Sequence, residues 1–285
     1  MKKLIGIDIG GSHIAAAQVQ IHARTTTLSH FFESDVDTFG SAESIIAAWT
    51  ETIMKTAGAA TDYYVGIAMP GPYDYENGIS LIKDQGKMAS LHQLSVKNML
   101  AESLGILPQQ IAFTNDAEAF LIGESYAGAG RDFQNSIGIT LGTGLGSAIK
   151  VHEVVKDAKL WTAPFRDSIA EDYLGTAWFR SYALENFGLQ ISGVKDLITP
   201  TIDAEISRKI FSVFGRSLGE FLFPYLVRLH TEGVVVGGKI SLAAANYLPE
   251  TQNYLETMGY SVPFKISELG EKSALIGACF PFIQH

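Results

Sequence analysis

The sequence is poor in cysteine and has no cluster of positive charge. Cys279 is the single cysteine among 285 residues, which excludes a disulfide framework and any zinc site that needs several thiolates. The 21 lysines and arginines are outnumbered by 30 aspartates and glutamates, so the net charge is −9. Because an acidic chain without a Lys/Arg cluster repels phosphate backbones, we do not expect general nucleic-acid binding.

Long apolar runs are lacking as well. The basic start at Lys2 and Lys3 resembles that of a signal peptide, but Gly6 and Asp8 interrupt the apolar stretch that follows. That stretch is shorter than the roughly 7–15 residues of a signal peptide's apolar region. No run reaches the roughly 18 apolar residues of a membrane span. We therefore expect a cytoplasmic protein without a membrane partner.

What the sequence contains instead is an alternation of strand-like and helix-like segments, which predicts the α/β class. A chain of 285 residues also exceeds the size that one hydrophobic core usually serves, which favours two domains. The predicted strands are Leu4–Ile9, Tyr63–Met69, Ile111–Thr114, Ser136–Leu141 and Gly233–Val236. The predicted helices are Ser41–Ala57, Val96–Leu104, Ala117–Tyr126, Ala170–Asn186, Ala204–Leu229 and Ser273–Phe280.

Two details of this assignment are less regular. The segment Ile14–Ile21 fits either a helix capped by Ser12 or a strand that returns alongside the first one. Pro224 is expected to kink or end the long helix at 204–229, because proline removes a backbone hydrogen bond. No internal repeat is visible in the sequence.

Three of the apolar runs end in glycine-rich turns, at Gly10-Gly11-Ser12, Gly142-Thr143-Gly144 and Gly237-Gly238-Lys239. Any one of them could simply permit a tight turn. Turns without Cβ atoms also let backbone N–H groups converge on an anion, and ligands of open α/β sheets bind beyond the carboxyl ends of the strands. Three such turns in one chain therefore favour a nucleotide site.

The first turn distinguishes between two kinds of nucleotide. Gly6, Asp8 and Gly11 stand at the spacing of a dinucleotide fingerprint, but the middle glycine of that fingerprint is replaced by Asp8. A bare carboxylate repels a pyrophosphate, whereas Mg²⁺ can bridge the two. The residues thus favour a magnesium nucleotide over NAD, and the chain has no P-loop lysine pattern.

Asn115 and Asp116 follow a predicted strand and precede a predicted helix. One interpretation is helix capping, in which Asn115 and Glu118 form a capping box. The other is that Asp116 acts as a general base at a strand end. The residues alone leave both interpretations open.

Taken together, these residues resemble the ROK family of sugar kinases and sugar-responsive repressors, which has the actin-like, ribonuclease H-like ATPase fold. The similar segments occur in order along most of the chain. They are a first phosphate motif at Leu4–Ser12, a G-x-P-G-P stretch at Gly66–Asp74, an Asn-Asp segment at Asn115–Ala119, a second phosphate motif at Thr140–Gly146, an adenosine motif at Val236–Ser241 and a final helix at Ala274–Ala278.

The resemblance implies two domains that close on a cleft, one formed by residues 1–116 with 271–285 and the other by residues 117–270. It implies Mg²⁺ held indirectly by Asp8, with ATP as co-substrate. The implied nucleotide-binding residues are Asp8, Gly10, Gly11, Ser12, Gly142, Thr143, Gly144, Gly237 and Gly238. In the sugar site, the resemblance implies Asp116 as catalytic base and Asn115, Asp116 and Glu171 as sugar-binding residues.

The chain also departs from the family pattern. His13 stands where the family usually has lysine, and the cysteine-rich zinc loop is replaced by Lys159–Asp167. We therefore expect no zinc, and a loop held by apolar packing and by the stiffness of proline. The Glu-x-Gly-His sugar motif that usually precedes the zinc loop in the family is also missing, and Arg166 or Asp167 could replace its histidine. Glu171 could instead form a capping box with Ser168.

The expected function is therefore that of an ATP-dependent sugar kinase that phosphorylates a hydroxyl of a hexose or hexose derivative. The alternative is a non-catalytic sugar- or nucleotide-binding regulator of the same fold, without a DNA-binding domain of its own. The expected partners are the sugar and ATP, and the apolar helices are compatible with a homodimer.

Overall fold

The computed structural model describes residues 3–22, 25–83 and 87–283. The chain divides into two compact units, the first formed by Met1–Gly128 with Glu271–His285 and the second by Ala129–Gly270. The sequence analysis placed the first boundary after Asp116, so it left the helix that begins there in the wrong unit. That helix belongs to the first unit because its backbone lies against the C-terminal helix: a Cβ on Gly123 would be 2.1 Å from the carbonyl oxygen of Ser273.

The elements alternate along the chain as expected for an α/β protein. The strands are β1 (Lys3–Ile9), β2 (His13–His22), β3 (Thr25–Asp35), β4 (Tyr63–Met69), β5 (Tyr73–Asp74), β6 (Ile79–Ser80), β7 (Ile111–Asn115), β8 (Asn135–Leu141), β9 (Leu145–Val151), β10 (Val154–Asp157), β11 (Pro164–Phe165), β12 (Ser168–Ile169), β13 (Gly233–Gly237) and β14 (Phe264–Ile266). The helices are α1 (Ala42–Ala57), α2 (Val96–Leu104), α3 (Asp116–Ala127), α4 (Ala170–Leu174), α5 (Thr176–Phe187), α6 (Ala204–Arg228), α7 (Ala244–Thr257) and α8 (Lys272–Ala278).

The first unit is built on a five-stranded sheet with the order β3-β2-β1-β4-β7. Strand β1 runs parallel to β4 and antiparallel to β2, which settles Ile14–Ile21 as a returning strand. Alternate residues of β1 face opposite sides of the sheet. Ile5 and Ile7 are buried in the core beneath α1 and α2, whereas a Cβ on Gly6 would lie 2.0 Å from the backbone of α8.

The second unit repeats this topology, although no repeat is visible in the sequence. Its sheet has the order β10-β9-β8-β13-β14. In each unit three antiparallel strands are followed by two strands parallel to the first of them. The two glycine turns at 10–12 and 142–144 therefore occupy equivalent places, each joining the first strand of its sheet to the second.

One helix prediction needs correction, and one of the two alternatives stated for Pro224 is excluded. The helix predicted at Ala170–Asn186 is two helices, because Gly175 adopts extended backbone between α4 and α5. Pro224 does not end α6, which continues to Arg228.

Helix α6 has 25 residues and is long and apolar enough, by length and composition, to cross a membrane. More than half of its apolar window is buried inside the protein. Phe211, Phe214 and Leu218 of this helix lie in the core of the second unit. The helix is thus explained by packing within its own unit.

Candidate functional site

The first glycine turn presents backbone donors to solvent. The N–H of Gly10 binds the carbonyl oxygen of His13 at 3.0 Å, and the hydroxyl of Thr38 donates to the carbonyl of Gly11 at 3.0 Å. The N–H groups of Gly11 and Ser12 make no hydrogen bond to any residue that the structure describes. The turn therefore offers two adjacent donors, as an anion-binding turn requires.

A lysine that the sequence analysis missed lies over this turn. The Nζ atom of Lys87 is 3.1 Å from the position that a Cβ on Gly11 would occupy. The ring of His13, which stands where the family pattern has lysine, folds back over Gly10 instead. No local pattern marks Lys87, because it reaches the turn from a distant part of the chain. Its ammonium group brings a positive charge to the first turn.

Three carboxylates of the first unit influence one another. Burial, followed by the nearby carboxylates of Asp116 and Glu271, raises the pKa of Asp8 from 3.8 to about 7. Glu271, directly before α8, was not recognised as a site residue from the sequence. Like charges this close are unfavourable unless a proton or a cation intervenes.

This arrangement suits Mg²⁺, because carboxylate oxygens are ligands that the ion prefers. Over residues 3–22, 25–83 and 87–283, no three acidic, histidine or cysteine side chains are grouped so as to hold a metal by themselves. Mg²⁺ commonly uses one or two carboxylates together with water and substrate phosphates. The indirect role of Asp8 toward Mg²⁺ stays a prediction.

The raised pKa of Asp8 leads to a prediction about stability without Mg²⁺ or nucleotide. The folded protein holds this proton more tightly than the unfolded chain, so between about pH 4 and pH 7 stability falls as the pH rises. Asp8→Asn removes the ionisable group and should stabilise the protein at pH 8 by about 1–3 kcal/mol, less than the full shift because the side chain is partly exposed. Thermal unfolding of both proteins at pH 5 and pH 8 in EDTA tests this, and an equal difference in melting temperature at the two pH values would contradict it.

The Asn-Asp pair lies where β7 passes into α3. Asn115 is the N-cap of α3, and its Oδ1 accepts from the N–H groups of Ala117 and Glu118 at 3.0 and 3.1 Å. The side-chain amide of Asn115 donates to the hydroxyl of Tyr75 at 3.1 Å. Capping by the side chain of Asn115 is thus confirmed, with Glu118 contributing its backbone N–H. The second N–H of the Asn115 amide has no partner among the described residues and can serve a ligand.

Asp116 is the first residue of α3 and is half-buried. One of its carboxylate oxygens, Oδ1, accepts from the N–H of Ala117 at 2.8 Å, which holds the side chain at the end of the helix. Because Asn115 is the N-cap, α3 does not need the carboxylate of Asp116 as its cap. A base at this position therefore remains compatible with the local structure.

The second glycine turn is held from both ends by residues of α4 and α5. Thr176 donates to the carbonyl of Gly142 from its backbone N–H at 2.9 Å and from its hydroxyl at 2.7 Å. The Oε2 atom of Glu171 accepts from the N–H of Leu145 at 2.9 Å. A Cβ on Gly144 would lie 2.2 Å from the same oxygen, so only glycine lets Glu171 approach this closely.

These contacts revise the interpretation of Glu171. The N-cap of α4 is Ile169, without a side-chain hydrogen bond, and the hydroxyl of Ser168 donates to Asp172. The capping box between Ser168 and Glu171 is therefore wrong. Glu171 instead supports the turn that the sequence analysis assigned to phosphate.

The third glycine turn packs beside the second. Gly238 has a positive φ of 79°, and a Cβ on it would lie 2.3 Å from the carbonyl oxygen of Leu141. This close approach places the Gly237-Gly238 turn against the strand end that leads into Gly142. Within the second unit, the residues predicted for phosphate and adenosine are thus neighbours.

The loop that replaces the cysteine-rich segment is held mainly by charge and aromatic contacts. Phe165 is buried against Tyr173, while Arg166 lies over both rings and pairs with Glu220 at 2.6 Å. Trp161 is 38% exposed, and the apolar packing expected for this loop comes from Leu160 and Phe165, which lie in the core of the second unit.

Neither side chain proposed as a substitute sugar ligand is available for that role in this loop. Arg166 binds Glu220, and Asp167 accepts from the hydroxyl of Tyr173. Both are therefore committed to contacts that stabilise the loop itself.

Comparison with known proteins gives a consistent result. A sequence model of the ROK family matches residues 4–159. The chain is 31% identical over 150 residues to a glucokinase of Thermotoga maritima, in an alignment that covers 53% of this chain and 45% of that enzyme. It is 23% identical over 302 residues to a β-glucoside kinase of Klebsiella pneumoniae, covering 99% of this chain and 96% of that one.

A solved structure shares the fold. The ROK family glucokinase from Streptomyces griseus, crystallised with glucose and AMPPNP, has a TM-score of 0.77 at 20% identity, with 98% of each chain covered. Likeness at this level establishes the fold, so the expected actin-like α/β ATPase fold is confirmed.

Proposed function

The chain belongs to the ROK family, and from this premise we propose that it is an ATP-dependent kinase that phosphorylates a hydroxyl of a hexose or hexose derivative. The observation that carries the proposal is the pair of glycine turns, each with two adjacent N–H donors that lack a partner among the described residues. Such turns suit the charged oxygens of a nucleotide's phosphates. The relatives named as glucokinase and β-glucoside kinase support a sugar as acceptor.

In the proposed reaction, the sugar hydroxyl oxygen forms a bond to the γ-phosphorus of ATP as the bond from that phosphorus to the leaving ADP breaks. Asp116 orients the hydroxyl and accepts its proton. The charge on the transferred phosphoryl group is met by N–H donors of the glycine turns and, at the first turn, by the ammonium of Lys87. Bound Mg²⁺ would neutralise phosphate charge near Asp8.

Sugar recognition in this proposal relies on Asn115, Asp116 and Glu171. Buried polar groups discriminate strongly between ligands, because a wrong ligand leaves them without partners. The family's histidine is missing from the sequence, and Arg166 and Asp167 are engaged elsewhere. We therefore expect a sugar specificity that differs from that of the family's glucokinases.

A coupled assay of ADP release tests the function. The protein is incubated with ATP and Mg²⁺ and with glucose, β-glucosides, amino sugars or polyols in separate reactions. We expect sugar-dependent release of ADP with at least one hexose or hexose derivative. Tight binding of a sugar without turnover of any member of the panel would favour the non-catalytic regulator instead.

Glu171→Gln tests the sugar role of Glu171. Glutamine keeps an oxygen that can accept from the N–H of Leu145, so the turn and the folding stability should be largely preserved. The loss of the charged acceptor should raise KM for the sugar by about 10–100-fold, as for a charged group that loses a hydrogen-bonded partner. KM for ATP should change much less.

Steady-state kinetics with each substrate varied in turn, together with thermal unfolding, separates the two roles of Glu171. A variant with a lowered melting temperature and an unchanged KM for the sugar would show that Glu171 only supports the turn. Glu220→Gln is a suitable comparison, because it weakens the ion pair with Arg166 in the adjacent loop without touching the turn.

A further inference from the structure

The two phosphate-type turns share a feature that extends their topological equivalence. In each, the hydroxyl of a threonine from outside the turn binds the carbonyl oxygen of a turn glycine. Thr38 binds Gly11 at 3.0 Å, and Thr176 binds Gly142 at 2.7 Å. Thr38 lies in the segment between β3 and α1, whereas Thr176 is the first residue of α5.

Thr38 is fixed on more than one side. It is 3% exposed, and its own carbonyl oxygen accepts from the N–H of Met88 at 2.6 Å. The hydroxyl is therefore held beneath the first turn, in the segment next to Lys87. Among the described residues, the Thr38 hydroxyl is the group that donates a hydrogen bond to the Gly11 carbonyl.

Thr176 engages the second turn twice. Its backbone N–H and its hydroxyl both donate to Gly142, at 2.9 and 2.7 Å. As the first residue of α5, it has an N–H that needs no partner within the helix. The carbonyl of Gly142 is thus held more firmly than that of Gly11.

Because the peptide unit is planar, each of these hydrogen bonds also fixes the direction of a neighbouring N–H group. In a planar trans peptide, the carbonyl and the N–H of the next residue point in opposite directions. A threonine that holds the Gly11 carbonyl therefore aims the N–H of Ser12 away from itself, and the same holds for Gly142 and Thr143. These two N–H groups are among those without a partner in the described residues, and both residues are exposed.

We propose that Thr38 and Thr176 are positioning residues that keep the N–H groups of Ser12 and Thr143 aimed at nucleotide phosphate oxygens. Both peptides have a glycine on their carbonyl side, and a glycine-containing peptide can rotate readily when nothing holds its carbonyl. Each hydroxyl restrains that rotation before the nucleotide arrives, which lowers the ordering cost of binding. The inference rests on the proposed function, because it assumes that the turns bind phosphate.

The test replaces each threonine with valine, which keeps the shape and removes the hydroxyl. Calorimetry with Mg²⁺ and AMPPNP should show a dissociation constant about fivefold higher for Thr38→Val, the expected effect of one lost hydrogen bond. Thr176→Val should have a smaller effect, about twofold, because its backbone N–H still holds Gly142. Sugar affinity should stay within twofold of the wild type for both.

Two controls separate this role from a general loss of stability. Thr38→Ser and Thr176→Ser keep the hydroxyl and should restore nucleotide affinity. Thr251→Val removes a buried hydroxyl that also donates to a glycine carbonyl, that of Gly215 at 2.8 Å, but between α6 and α7. It should lower the melting temperature without changing the affinity for AMPPNP.

The affinities for AMPPNP distinguish a failure of the positioning role from a failure of the proposed function. If the wild type binds Mg²⁺ and AMPPNP but the valine and serine variants have equal affinities, the positioning role is overturned and the proposed function stands. An equal loss in Thr251→Val would also overturn it, since the effect would then be one of stability. A wild type that binds no nucleotide would overturn the proposed function and the nucleotide role of both threonines with it.

Discussion

Asp116→Asn is expected to lower kcat by about 10²–10⁴-fold, the contribution of a positioned general base. Asparagine has nearly the same shape and retains an oxygen that can accept from the N–H of Ala117, as Asp116 does at 2.8 Å. It cannot accept the proton of the sugar hydroxyl. Affinity for the nucleotide should therefore be nearly unchanged.

Steady-state and single-turnover kinetics on the true substrate measure this effect, with nucleotide affinity determined separately. Asn115 should remain the N-cap in the variant, so helix α3 should persist and the melting temperature should not fall. Removing the charge of Asp116 also removes one cause of the raised pKa of Asp8. Wild-type turnover in the variant would restrict Asp116 to a structural role at the start of α3.

Gly277→Ala is expected to give the largest loss of stability. An added Cβ would lie 1.8 Å from the carbonyl oxygen of Ala119 in α3, so α8 would have to move away from α3. Alanine's better helix propensity offsets only about 1 kcal/mol of that cost. We expect a net loss of about 3 kcal/mol or more, which corresponds to a fall of roughly 6–12 °C in the melting temperature.

The contact at Gly277 is one of several that hold α8 in the first unit. Three other glycines lie equally close to the C-terminal helix. A Cβ added to any of them would be about 2 Å from a backbone carbonyl oxygen of residues 273–278, and they are Gly6, Gly66 and Gly123. Gly193→Ala is a matched control, because the atom nearest to the new Cβ would be a methyl carbon at the ordinary contact distance of 3.9 Å. Thermal unfolding of both variants decides the point, and equal melting temperatures would show that α8 can shift at no cost.

Much of the architecture follows from local patterns in the sequence. The predicted strands Tyr63–Met69 and Ile111–Thr114 appear within one residue of their expected bounds, because a strand covered on both faces is a continuous apolar run. Helix α2 has the predicted bounds of Val96–Leu104, with a serine before it and a glycine after it. The glycine turns were predicted in the same way, from glycines at the ends of apolar runs.

Other features depend on contacts between distant residues, and the local pattern misled the prediction. Glu171 stands three residues after Ser168, which is the spacing of a capping box, yet its carboxylate binds the N–H of Leu145 instead. Residues 170–186 have helical character throughout, but Gly175 interrupts them because its backbone lies against the turn at Thr143. In both cases a tertiary contact outweighed a local preference.

The sequence by itself determined the fold class, the family, the glycine turns and the position of Asp116 at a strand end, because each depends on residue types at fixed short spacings. Only the tertiary structure decided that Lys87 lies over the first turn, that Glu271 lies near Asp8, and that Thr38 and Thr176 hold the two turns. It also revealed the shared topology of the two units, which their sequences no longer show. These features join segments that are far apart in the chain, and such contacts are set by how strands and helices pack rather than by any local pattern.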